Sequence, residues 1–191
     1  MKQVLIILRG APSSGKSTIA YSLRNYEKKI AWLKVDNFKP FFAESSDSIL
    51  DDVNKTAISV LNDFLDRQFS VVMEGVFQNP LYIQEAVNLA EQKNIPVIVY
   101  ELKCSVETLQ KRDIIRPGVK EGCRKPLGDF VINNLSNIID KNPFKGAVSL
   151  DTEKTSLDEC IRLIKKNFDW SDTRSSHIFY NSGLNSFIAT G

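Results

Sequence analysis

The sequence predicts an α/β fold, a three-layer sandwich on a five-stranded parallel sheet, and three observations carry that expectation. Five short β-branched or aliphatic runs recur along the chain, each followed by a segment whose apolar residues return every three or four positions. The first run, Val4 to Leu8, has no polar interruption, as a central strand covered on both faces requires. Directly behind it, Gly10-Ala11-Pro12-Ser13-Ser14-Gly15-Lys16-Ser17-Thr18 fits the pattern G-x-x-x-x-G-K-[ST] at every fixed position, between a strand and a helix.

Each element has its own signal. Behind the loop, Lys16 to about Asn25 carries Ile19, Ala20 and Leu23 at helical spacing. Ala31 to Val35 is a short second strand, stopped by Asp36-Asn37-Phe38-Lys39-Pro40. A polar stretch from Glu44 to Ser48 offers Ser46 or Asp47 as a cap, and from Ile49 the spacing of Val53, Ala57, Val60, Leu61 and Phe64 predicts a long amphipathic helix. Phe69 to Met73 is the third strand and runs into Glu74-Gly75-Val76-Phe77. Asn79 is expected to cap the next helix, with Pro80 at its first position and Leu81, Ile83, Ala86, Val87 and Ala90 following.

Ile95 to Leu102 is the most β-branched segment and the fourth strand. Ser105 opens a helix through Val106, Leu109 and Ile114, which Pro117 ends after Arg116. Gly118 to Gly128 lacks periodicity and reads as a loop, and Phe130 to Ile139 resumes helical spacing. Ala147 to Leu150 is the fifth strand. Thr155 or Ser156, with Asp158 or Glu159 three residues on, starts a last helix on Leu157, Cys160, Ile161, Ile164 and Phe168. The expected organisation is one domain over 1–169 and a Ser/Asn-rich extension or tail over 170–191.

Composition narrows the function classes. A chain of 191 residues, 42% hydrophobic, supports one well-buried core. A formal net charge of +2 gives no global pull toward nucleic acid or membrane. Cys104, Cys123 and Cys160 have no C-x-x-C spacing, so they suggest neither a disulfide framework nor a zinc site and read as reduced cytosolic thiols. The apolar run before Arg9 is too short for a signal-peptide core or a membrane span, so a soluble cytoplasmic protein is expected, with its oligomeric state open.

The glycine loop is a phosphate cradle on chemical grounds. Gly10 and Gly15 are expected to turn with positive φ, bringing successive N–H groups from Gly10 through Thr18 toward a polyphosphate. Lys16 supplies a mobile positive charge for the β/γ-phosphates, and Ser17 a hydroxyl for Mg²⁺ at a helix N-terminus that favours anions. A plain Gly/Ser turn needs neither. Guanine specificity would call for Asn-Lys-x-Asp, and Asn54-Lys55-Thr56-Ala57 lacks the aspartate and lies in a helix.

Around the loop, two carboxylates and a basic segment are candidates. Asp36, at the carboxyl end of a parallel strand, faces the crevice where such sheets bind ligands and is placed to take a proton from a hydroxyl; the same residue also suits a turn cap. Glu74 ends a buried strand beside the loop, where it can hold Mg²⁺ through water or bond loop amides. Lys111, Arg112, Arg116, Lys120, Arg124 and Lys125 supply the positive charge that phosphoryl transfer calls for, or form a solvated helix face with Asp113 as local partner. Arg112 and Arg116 are one helical turn apart and are expected to share a face.

Val35-Asp36-Asn37-Phe38, Met73-Glu74-Gly75-Val76-Phe77, the arginine-studded segment and Leu150-Asp151-Thr152, with the phosphate loop, resemble the chloramphenicol phosphotransferase-like branch of the phosphate-loop kinases. Zeta toxins, shikimate kinase and polynucleotide 5′-kinases are more distant likenesses, and the resemblance spans Val4 to Phe168. It implies strand order 2-3-1-4-5, ATP and Mg²⁺ as cofactors, and transfer of the γ-phosphoryl group to a hydroxyl. Carried to this chain, the base is Asp36 and the lid covers about 112–128. Arg112 then meets adenine or phosphate, Arg116 reaches the transferred group with Arg124 as the rival, and Asp151-Thr152 sits against adenine or merely turns into the last helix.

The expected partner is a small-molecule hydroxyl acceptor. Phe38, Phe41, Phe42, Phe77 and Tyr82 suggest a ring-bearing one, although core packing explains them almost as well. A polynucleotide 5′-hydroxyl is the less favoured acceptor, since Lys28, Lys29, Lys34, Lys39, Lys165 and Lys166 are scattered in sequence. A nucleotide sensor without transfer is the non-enzymatic alternative.

Overall fold

The computed structural model describes residues 2–26, 29–42, 49–116 and 125–167. The expectations for Ser46, Asp47, Cys123, Arg124, Phe168 and the 170–191 extension lie outside these residues. In chain order the elements are β1 (Leu5–Gly10), α1 (Lys16–Arg24), β2 (Ile30–Lys34), α2 (Ile49–Asp66), β3 (Ser70–Gly75), α3 (Leu81–Gln92), β4 (Val97–Lys103), α4 (Val106–Ile114), α5 (Asp129–Lys141), β5 (Val148–Asp151) and α6 (Leu157–Lys166). All five strands run parallel in the order β2-β3-β1-β4-β5, as the resemblance implied.

Two apolar layers explain why the inner strands read as continuous hydrophobic runs. Leu5, Ile7, Val71, Met73, Val97 and Val99 pack with Val53, Ala57 and Leu61 of α2 and Ile83, Ala86 and Val87 of α3. The alternate residues Ile6, Leu8, Val72, Tyr100 and Leu102 pack with Ile19 and Leu23 of α1 and Cys160 and Ile164 of α6. Period-two alternation thus feeds a core on each side.

Element ends follow local hydrogen bonding. Ser105 caps α4 by accepting from Thr108 N at 3.2 Å, and Ser156, not Thr155, caps α6 by accepting from Glu159 N at 3.3 Å. Pro80 takes the cap position of α3, one residue later than expected, while Asn79 Oδ1 accepts from Leu81 N at 3.0 Å. Strand β3 includes Glu74 and Gly75, and β5 includes Asp151, so both carboxylates are strand residues. Val35 leaves β2 and starts a tight 3-10 turn, Val35–Phe41, that contains Asp36.

The end of β1 buries a charge. Arg9 is fully buried, and its Nη1 meets Glu101 Oε2 on β4 at 2.6 Å while its Nε donates to Phe77 O at 3.2 Å. Lys103 Nζ, at 2.7 Å, and Phe144 N, at 3.3 Å, complete the environment of Glu101. Glu101→Ala should destabilise the fold by about 3–5 kcal/mol, because it strands a guanidinium in the interior. Chemical denaturation checks this, and the paired replacement Arg9→Met with Glu101→Leu should recover most of the loss. An undiminished midpoint for Glu101→Ala would show that water already reaches the pair.

Candidate functional site

The phosphate loop closes over its own lysine. Lys16 is buried, and its Nζ donates to Gly10 O at 2.9 Å and Ala11 O at 2.7 Å, with Ser14 Oγ at 3.4 Å. Gly15 has φ +95°, as expected, whereas Gly10 does not take positive φ; the second left-handed residue is Ser13, at φ 66°. Gly10 is needed for space instead. A Cβ there would lie 2.7 Å from Ser14 Oγ and 3.0 Å from Leu102 O.

Burial lowers the Lys16 pKa to about 8, with Arg116 and Lys34 adding to the drop and Glu74 and Asp36 opposing it. The ordinary value is 10.5, so above about pH 8 the folded loop releases a proton that the unfolded chain still holds. The unfolded state binding more protons means that the empty protein gains stability from this group as pH rises through that window. Phosphates favour the ammonium form. Affinity for metal-free ATP should therefore be level below about pH 8 and fall above it, approaching tenfold per pH unit. Calorimetry across pH reads this directly; a slope that persists in Lys16→Ala would assign it to another group.

Next to the loop, Ser17 Oγ donates to Glu74 Oε1 at 2.8 Å, and Lys34 Nζ lies 3.3 Å from Ser17 Oγ and 3.8 Å from Glu74 Oε1. The parallel register that sets Leu8 opposite Glu74 and Glu74 opposite Lys34 brings the three together from α1, β3 and β2. A hydroxyl and one carboxylate fit Mg²⁺, which takes few protein oxygens and completes its shell with water and phosphate. Among the described residues no group of three or more His, Cys, Asp or Glu side chains suggests another metal. From sequence Lys34 counts only as one of the scattered lysines of a polynucleotide track, yet period two already placed it two residues before Asp36 at the same strand end.

Asp36 pairs with Lys39 Nζ at 2.8 Å and is partly exposed, near enough to Lys16 for its charge to be felt there. On the other flank, Arg112 donates from Nη1 to Thr152 Oγ1 at 3.2 Å and from Nη2 to Thr152 O at 2.7 Å, and Thr152 Oγ1 donates to Ser14 O at 3.0 Å. Asp151, the last residue of β5, accepts through Oδ1 from Glu153 N and Lys154 N at 3.0 and 3.1 Å, so its carboxylate bonds the turn that follows the strand. Helix α4 ends at Ile114, so Arg116 lies beyond it and does not continue the helical face of Arg112. It reaches the loop even so, donating from Nη2 to Ser13 Oγ at 2.8 Å. Phe77 is buried and Phe38, Phe42 and Tyr82 pack on the core, whereas Phe41 is 80% exposed. Core packing accounts for most of the aromatic signal.

Solved structures share this architecture. A sugar kinase from Janibacter sp. is 16% identical over 86% of this chain and 93% of its own, with a TM-score of 0.62. A tunicamycin resistance protein from Deinococcus radiodurans is 12% identical over 86% of this chain and 95% of its own, also at 0.62. A chain of an RNA repair complex is 21% identical at 0.59, but the match spans 73% of this chain and only 45% of the other. A search of the curated proteins finds no match. The family model of the zeta toxins matches residues 1–125. With the phosphate loop, strand order and kinase folds that accompany this match, the chain belongs to the zeta toxin family and is a phosphate-loop, kinase-like protein.

Proposed function

We propose that the protein transfers the γ-phosphoryl group of ATP, with Mg²⁺, to a hydroxyl of a small molecule in the cytoplasm. The observation that carries this reading is the convergence of Ser17, Glu74 and Lys34 beside the Lys16 loop, with Asp36 on the next turn of chain. In this reading the loop amides and Lys16 hold the phosphates, and Ser17 and Glu74 hold the metal ion. Mg²⁺, when bound by Ser17 and Glu74, would supply charge neutralisation for the polyphosphate. Asp36 takes the acceptor proton, and Arg116, already on Ser13, stabilises the equatorial oxygens of the transferred group. Arg112 and Thr152 border the nucleoside. The chloramphenicol phosphotransferase-like pattern supports the small-molecule acceptor, and among the described residues no helix is long and apolar enough to cross a membrane.

Among the described residues the lysine placement does not favour a polynucleotide track. Lys34 and Lys39 face the site, whereas Lys165 stacks on Tyr26, past the opposite end of α1. The deciding experiment measures ADP release from ATP and Mg²⁺ across sugars, nucleosides, hydroxylated antibiotics and short 5′-hydroxyl oligonucleotides. Stimulation by a small hydroxyl compound supports the reading; stimulation by oligonucleotides alone overturns the acceptor class, and none by any acceptor overturns transfer.

A further inference from the structure

Asp113 is a buried carboxylate beside the phosphate loop that the proposed chemistry does not use. It sits in the last turn of α4, 2% exposed. Its Oδ1 accepts from Ser13 Oγ at 3.2 Å and pairs with Arg116 Nε at 3.1 Å. Its Oδ2 accepts from Leu127 N at 2.7 Å and Gly128 N at 3.0 Å. Three hydrogen bonds and one ion pair therefore engage both carboxylate oxygens. The donors come from three places: the phosphate loop, the residue two beyond α4, and the strand of chain entering α5.

A generic surface partner for an arginine would look different. An exposed Asp at i to Arg at i+3 makes one mobile ion pair of small value. Here the guanidinium is fixed at two points, by Nε on Asp113 and by Nη2 on Ser13, and Ser13 is itself fixed by donating to the same carboxylate oxygen. The three side chains form a closed triangle, and Ser13 is the loop residue in the left-handed conformation at φ 66°. Moving any corner moves the other two.

We propose that Asp113 is the positioning residue of the transfer reaction: it aims Arg116 at the phosphate loop and registers residues 127 and 128 on the same point. This rests on the kinase reading, in which Arg116 meets the transferred phosphoryl group. The role is geometric, because both oxygens of Asp113 are engaged by the protein and the residue acts through Arg116 rather than on substrate. The effect belongs in turnover more than in nucleotide affinity, since displacing a transition-state group by about 1 Å can lower the rate about 10²-fold.

A double-mutant cycle on the full chain tests this, with slow ATP hydrolysis as the readout so that water stands in for the acceptor. Asp113→Asn should lower kcat about 10²-fold, with KM for ATP changed less than about threefold. In an Arg116→Ala background the same substitution should have no further effect, because the two act as one unit. If the losses multiply instead, or if Asp113→Asn lowers the melting temperature and leaves kcat intact, Asp113 is only a fold residue. If Arg116→Ala keeps full turnover, the failure belongs to the kinase role of Arg116. Should Asp113→Asn not fold, Asp113→Glu enters the same cycle, since it keeps the charge and changes only the reach.

Discussion

Lys16→Ala should lower phosphoryl transfer by about 10²- to 10³-fold and weaken ATP binding, while the empty protein becomes no less stable. The loss follows from removing a charge aimed at the β/γ-phosphates inside a largely water-excluded loop, where electrostatic stabilisation is strong. The stability half follows from the empty structure. Burial drives the Lys16 pKa down to about 8, so holding this ammonium in the fold opposes folding at neutral pH. Its donations to Gly10 O and Ala11 O offset part of that. Lys16→Met, which keeps the volume, should raise the denaturation midpoint and abolish transfer together. A midpoint that falls sharply in Lys16→Met would mean that the lysine chiefly braces the loop.

Strands and helices are each set by short-range pattern, so the unbroken apolar run Val4 to Leu8 and the alternation of strand and helix segments predicted a covered parallel sheet. The core then fills its two faces with Leu5 and Ile7 on one side and Ile6 and Leu8 on the other. The loop was legible because phosphate binding demands residue types that a turn does not. Contacts that depend on distant register were hidden. Lys34 joins Ser17 only because β2 pairs with β3 in one particular register, and Arg9 finds Glu101 across 92 residues of sequence. Two glycines looked alike in the motif, yet Gly15 serves a backbone angle and Gly10 a close approach to Leu102, a distinction that needs the neighbouring strand. Asp113 was visible only as a local partner for the arginines. Its bonds to Ser13, Leu127 and Gly128 require the loop, α4 and the chain before α5 to meet.

Asp36→Asn separates a base from a turn cap. Asparagine keeps the side-chain oxygen that serves a cap and lacks the basicity needed to accept a proton. If Asp36 is the base, the variant should bind ATP nearly normally, melt at nearly the native temperature and lose about 10²- to 10⁴-fold in kcat. If Asp36 only holds the turn Val35–Phe41, the variant should transfer at the native rate and Asp36→Ala should show mainly a loss of stability. The pairing of Asp36 with Lys39 at 2.8 Å sharpens the choice, because an ion pair of this exposure contributes at most about 1 kcal/mol. Lys39→Met should therefore leave the fold intact and change turnover much less than Asp36→Asn. Equal losses in the two variants would make the pair, rather than the carboxylate alone, the acceptor-side machinery.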